Sequence, residues 1–242
     1  MQFIAQFRDP STAENSDYER HLKRLWPVIA TLAAKDDRLV DWFLQGSNEE
    51  EARLYPVYEA PNEPSTAAKA VLREQYQGED KLAKTIGMWN GRIEKKEGAS
   101  ISLGFDTGAI PCDFELTVGE ENATSSRLGD FESVADVVAT IATTYAPAYI
   151  TAAPRKYASK QVFDDKPGVG WMLYLPKPIT SQHVPEAHAL VPVTTDGKQI
   201  GTIIVSAIDV PFSIDNPEHV ETANRIEIRL VDQDLLPRYT DI

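Results

Sequence analysis

Cys112 is the only cysteine in this chain of 242 residues, so an internal disulfide and a multi-cysteine zinc site are both excluded. A chain that does without disulfides suits a reducing compartment. Long apolar runs are also missing: no stretch approaches the roughly 18 residues that a membrane span requires. The opening residues, Met1 to Asp9, have neither a basic leader nor a sustained apolar core, so they do not read as a signal peptide. A soluble cytoplasmic protein is the expectation. Positive charge is scarce as well. Lys and Arg number 24 against 37 Asp and Glu, a formal net charge of −13. Phosphate binding draws on clustered cations, so nucleic acid is not an expected ligand. The densest basic stretch, Arg92 to Lys96, is split by Glu94 and followed by Glu97 and reads as a solvated strand end.

Recognisable catalytic chemistry is equally absent. The four histidines, His21, His183, His188 and His219, show no His-Glu-x-x-His spacing. His183 and His188, with Glu186 between them, read as an exposed loop. There is no Gly-x-Ser-x-Gly elbow. Lys166-Pro167-Gly168-Val169-Gly170 lacks Walker spacing and reads as a turn. Cys112 alternates with Phe114 and Leu116 and is expected on an apolar face, where a thiol is inert. No enzyme, cofactor or metal site is expected.

What the chain does have is ordinary globular composition, 42% hydrophobic and 25% charged, enough apolar surface to offset the entropy of ordering. Leu22, Leu25, Trp26, Ile29 and Leu32 recur at helical spacing over 18–35, with Pro27 expected to kink or divide the helix. Ser47-Asn48-Glu49-Glu50 reads as a capping box for a short helix through Leu54. Ser65 or Thr66 caps a further helix to Tyr76, closed by Gly78. The first third is therefore expected to be mostly helical. The period then changes to two. Thr85 to Ile93 forms one strand, Ile101, Leu103 and Phe105 mark a second, and Cys112, Phe114, Leu116 and Val118 a third, with 106–111 as the intervening turn. Asp130 or Ser133 starts a helix through Val134, Val137, Val138 and Ile141. Val169 to Leu175 reads as a central strand, and Asp196-Gly197 joins two strands in a hairpin. Asn216-Pro217 opens a last helix, which Pro237 ends. The sum is an α+β fold: antiparallel sheet with helices packed on one side, a single domain over 1–242 with a helical part at about 18–78 and a mixed part at about 85–237. Two strands-then-helix blocks are compatible with a degenerate duplication.

Acidic residues concentrate between Phe105 and Asp136. Asp113 and Glu115 fall on the outward face of their strand, Glu120 and Glu121 follow in a loop, and Asp130 and Glu132 begin a helix, where the dipole favours acids. These six are the candidate interface residues, a negative patch suited to steering a basic partner. The alternative is a solvated face with ordinary helix-start acids. Trp89, Trp171, Tyr145 and Tyr149 are candidate aromatic anchors or core residues.

Several segments together resemble the immunity protein 52 family of bacterial polymorphic-toxin systems: His21-Leu22-Lys23-Arg24-Leu25, Leu39-Val40-Asp41-Trp42-Phe43-Leu44-Gln45-Gly46 with Glu51-Ala52, Met88-Trp89-Asn90-Gly91, Ile101-Ser102-Leu103, Gly170 to Leu175, Gly201 to Val205, Asn216-Pro217-Glu218-His219 and Leu235-Leu236-Pro237. The resemblance covers about residues 18–237. It implies an immunity protein of the bacterial cytoplasm that binds a cognate toxin, a nuclease of the restriction-endonuclease-like class, including effectors delivered by type VI secretion. It implies no catalytic residue, no nucleic-acid or membrane partner, and neutralisation by occluding the toxin's cleft or its assembly surface. An adaptor or chaperone that loads an effector onto a secretion apparatus is the alternative reading.

Overall fold

The computed structural model describes residues 1–9, 17–46, 48–77, 83–106, 110–122 and 125–242. The expectations for Ser47, Gly78 and the turn residues 107–109 lie outside these. Along the chain run β1 (Gln2–Phe7), α1 (Tyr18–Ala33), β2 (Phe43–Leu44), α2 (Glu49–Ala52), β3 (Tyr58–Ala60), β4 (Glu63–Pro64), α3 (Thr66–Gln75), β5 (Ala83–Trp89), β6 (Ala99–Asp106), β7 (Cys112–Val118), α4 (Phe131–Tyr145), β8 (Tyr149–Ala153), β9 (Met172–Leu175), β10 (Ala189–Thr195), β11 (Lys198–Val205) and α5 (Pro217–Asp232). Nine strands form one sheet in the order β10-β11-β9-β8-β1-β7-β6-β5-β2, with every named pairing antiparallel. The fold is α+β.

β1 lies at the centre of this sheet, between β7 and β8. The first third is therefore less helical than its helix periods suggest. Phe3, Ala5 and Phe7 are buried and alternate with partly exposed Gln2, Ile4 and Gln6, so a period of two was present in the opening residues. Pro27 does not divide α1, which runs unbroken from Tyr18 to Ala33. The ring is on the exposed side, where water can satisfy the Lys23 carbonyl that the missing N–H leaves free. Asp130, not Ser133, caps α4: its carboxylate accepts from the Ser133 N–H at 2.9 Å. Ser65 caps α3 through the Ala68 N–H at 2.9 Å. Asn48 caps α2, accepting from Glu51 N–H at 2.9 Å. α5 stops at Asp232, five residues before Pro237. Asp234 adopts φ 55°, and the Leu235 N–H donates to the Leu230 carbonyl at 2.8 Å while the Asp234 N–H donates to Val231. This paired closure is the Schellman arrangement, and it ends the helix before the proline can. The hairpin of β10 and β11 turns at Asp196-Gly197, both with positive φ (51° and 74°), as a tight turn of this kind requires.

Residues opposite one another in antiparallel register share a sheet face. One face carries Ile150-Ala5-Phe114-Leu103-Ile86 and Ala152-Phe3-Leu116-Ile101-Met88 in successive rows, all fully buried. α1 and α4 cover it. His21 stacks on Phe105 with ring centroids 3.6 Å apart, and Tyr145 packs 4.9 Å from Phe7 and 5.5 Å from Phe114. Arg24 lies over the Tyr145 ring at 4.8 Å and pairs with Asp9 at 2.6 Å. α5 packs on the opposite face, over the β8-β9-β11 half, where Leu173, Leu175 and Ile204 are fully buried as well, so the helices are not confined to one side as expected. The buried Glu227 of α5 accepts from the Tyr157 hydroxyl (2.6 Å) and from the N–H groups of Val162 (2.8 Å) and Val169 (3.0 Å), tying the segment after β8 to the helix. The two strands-then-helix blocks do not share a strand order: outward from the centre of the sheet the first runs β7-β6-β5 and the second β9-β11-β10.

Candidate partner-binding face

α5 covers only one half of its sheet face. On the other half the register defines three rows of five residues running from β8 across β1, β7 and β6 to β5: Tyr149-Gln6-Asp113-Gly104-Thr85, Thr151-Ile4-Glu115-Ser102-Gly87 and Ala153-Gln2-Thr117-Ser100-Trp89. Hydroxyls and amides dominate, most of the side chains are partly exposed, and the only charges are the two carboxylates. This is the half-solvated pattern of an antiparallel sheet, polar outside and apolar inside.

Asp113 and Glu115 are two positions apart on one strand, about 7 Å by strand geometry. Asp113 leans across Gly104, where a Cβ would collide with its carboxylate, so glycine is what lets this acid lie along the sheet. It makes no hydrogen bond or ion pair with any described residue. Partial burial, and then repulsion from Glu115, push its pKa above the ordinary value. Glu115 is better satisfied: the Gln2 amide donates to it at 2.7 Å and the Thr117 hydroxyl at 3.4 Å.

The other four candidate acids are placed differently. Glu120 turns inward, accepting from the Arg127 N–H at 2.9 Å and the Ser126 hydroxyl at 3.2 Å, with the Met1 amino group 3.9 Å away. Burial raises its pKa. Glu121 pairs with Arg38 at 2.8 Å, and that guanidinium lowers its pKa. Arg38 also binds Asp36 at 3.0 Å, and Asp36 binds the buried Arg127 at 2.7 Å. Burial opposes the Asp36 charge, but hydrogen bonds from both arginines outweigh it and lower the pKa. Arg127 goes on to donate to the carbonyls of Lys96, Gly98 and Gly119. Glu120 and Glu121 thus belong to a network that clamps three turns together. Asp130 is the α4 cap and Glu132 lies exposed in its first turn.

Of the candidate anchors, Trp171 and Tyr145 are core residues, each 1% exposed. Tyr149 is enclosed at the edge of the face. Trp89 ends the third row, half buried, with the Arg53 guanidinium 5.8 Å from its ring and a shallow pocket of about 410 Å³ between it, Ile93 and α2. The β1 residues of the face, Gln2, Ile4 and Gln6, were not among the candidates. Their signal was the alternation with Phe3, Ala5 and Phe7.

Among the described residues no three His, Cys, Asp or Glu side chains are grouped to hold a metal ion, and no helix is long and apolar enough to cross a membrane. The sequence model of immunity protein 52 matches residues 12–238, nearly the whole chain. The chain belongs to the immunity protein 52 family. No individually curated protein matches it. Membership implies a cognate toxin as partner, and so assigns the chain to protein–protein recognition. The match spans both halves of the sheet, from the residues before α1 to the turn after α5.

Proposed function

We propose that this immunity protein neutralises a nuclease toxin by laying the uncovered sheet face over the toxin's basic cleft, in the cytoplasm of the bacterium that makes both. The observation that carries this reading is the composition of the face: three rows of five residues with two carboxylates and no cation. A nuclease needs clustered cations to hold phosphates, so its cleft is the complementary surface. Asp113 and Glu115 steer the encounter, while the hydroxyls and amides around them supply directional contacts. Inhibition is steric and electrostatic and requires no catalysis by the immunity protein. A toxin delivered by type VI secretion would meet the inhibitor already present in sibling cells.

The test is co-expression with the cognate toxin. Wild type rescues growth. The double substitution Asp113→Lys, Glu115→Lys, verified as folded by circular dichroism, loses rescue when expression is lowered to match the toxin. Death of cells carrying wild type would sink the immunity reading. Full protection by the double substitution would move the interface off this face.

A further inference from the structure

Where the uncovered face meets the segment after β8, a cavity of about 150 Å³ opens between Ile4, Thr151, Gln2, Tyr149, Tyr157 and Tyr239. We propose that this cavity is the socket for one arginine side chain of the toxin, and so the point where packing, not charge alone, selects the partner. The inference rests on the reading of the sheet face as the toxin-binding surface.

Tyr149 and Tyr239 pack against each other as a tilted pair, ring centroids 5.9 Å apart and planes inclined at 56°, and both border the cavity, so an entering planar group meets aromatic surface. A volume near 150 Å³ holds a benzene-sized group, which a guanidinium with its last methylene does not exceed. A guanidinium is weakly hydrated and stacks on aromatic faces, so it enters such a space at less cost than an ammonium. Tyr239 is 38% exposed and leaves one side open, whereas Tyr149 is fixed in the sheet.

Just outside the socket, in the sheet row that Tyr149 begins, lie two acceptors in need of donors. Next to Tyr149 in its row stands Gln6, whose enclosed Oε1 has no hydrogen-bond partner. Beyond it comes Asp113, without a partner among the described residues. A buried acceptor left unsatisfied is costly, and the five N–H donors of a guanidinium are the groups that relieve it. Burial raises the pKa of both tyrosines, and neighbouring groups raise it further: Tyr239 and Asp113 for Tyr149, Glu227 and Asp165 for Tyr239. Arg155, an exposed side chain, is the one cation lining the cavity. The Tyr157 hydroxyl and the Gln161 amide are already committed, to Glu227 at 2.6 Å and to the Phe163 carbonyl at 2.8 Å, so the walls keep their shape without a ligand. Tyrosine and arginine are also both enriched among interface hot-spot residues.

The test uses the full ¹⁵N-labelled chain and the blocked peptides acetyl-Gly-Arg-Gly-amide and acetyl-Gly-Glu-Gly-amide. The arginine peptide is expected to shift the amides of Ile4, Gln6, Asp113, Tyr149 and Thr151 saturably in the millimolar range. The glutamate peptide leaves them unmoved, and Tyr239→Ala weakens the arginine response at least fivefold. Absence of saturable shifts, or equal shifts from the glutamate peptide, overturns the socket. With the toxin itself, Tyr239→Ala should weaken binding at least tenfold. Full toxin affinity in Tyr239→Ala, with binding still lost in Asp113→Lys, Glu115→Lys, overturns the socket and spares the face. Full affinity in both proteins overturns both.

Discussion

His21 is a polar side chain held in the core without full hydrogen bonding. It lies 5% exposed on α1, stacked on Phe105, and its Nε2 has no hydrogen-bond partner. Burial lowers its pKa from 6.5 to about 4. The unfolded chain therefore takes up a proton near pH 6.5 that the folded chain refuses until about pH 4. The stabilising contribution is complete above pH 6.5 and is lost as the pH falls through that window, by at most about 3 kcal/mol. Urea unfolding at a series of pH values checks this. His21→Leu should flatten the slope between pH 6.5 and 4 relative to wild type, and an unchanged slope would assign the acid sensitivity to other groups. Single residues also show where sequence reading stops. The outward positions of Asp113 and Glu115 were legible because strand alternation is local. The inward turn of Glu120 was not, because the groups that capture it, Ser126 and the Arg127 N–H, reach it only after the loop has folded back. Nor was the Asp36–Arg127 pair, which joins residues 91 positions apart.

At the scale of elements, caps and periods were informative wherever a competing signal was absent. Asn216-Pro217 and Asp196-Gly197 behave as their chemistry dictates, since each is settled by its own backbone. Where two rules competed, tertiary position decided: Pro27 faces water, so α1 survives it, and Asp234 closes α5 before Pro237 is reached. β1 shows an element whose signal was present but short, six residues whose pairing partners lie more than a hundred positions away. α4 offers a clean test of a cap. It ends at Ala146, which holds left-handed angles (φ 49°, ψ 52°) and is exposed. An L side chain in that region costs about 1 kcal/mol, and glycine removes the clash. Ala146→Gly is expected to stabilise the chain by up to about 1 kcal/mol, partly offset by the added freedom of the unfolded state, and so to raise the melting temperature by about 2–4 °C. A lowered melting temperature would mean that the cap is not strained.

Over the whole molecule, the charge of −13 is unevenly informative. Part of it is consumed inside the fold, as in the Asp36, Arg38, Glu121 and Arg127 network. Part of it caps helices. Asp113 and Glu115 share a face because they are two positions apart on β7, but the open polar surface around them depends on the order β8-β1-β7-β6-β5, which no local pattern encodes. α5 and the segment that it clamps through Glu227 cover the neighbouring half, so the open half ends against a built wall instead of running on as a flat sheet. Exposed carboxylates on such a face act over a Debye length of about 10 Å at 0.1 M salt, so they govern encounter, and packed contacts govern retention. The most direct test of this account is the association rate with the cognate toxin, measured by stopped flow between 25 and 300 mM salt for wild type and for Asp113→Lys, Glu115→Lys. The double substitution should associate at least tenfold more slowly at low salt and lose most of the salt dependence. An unchanged rate and salt slope would contradict this account.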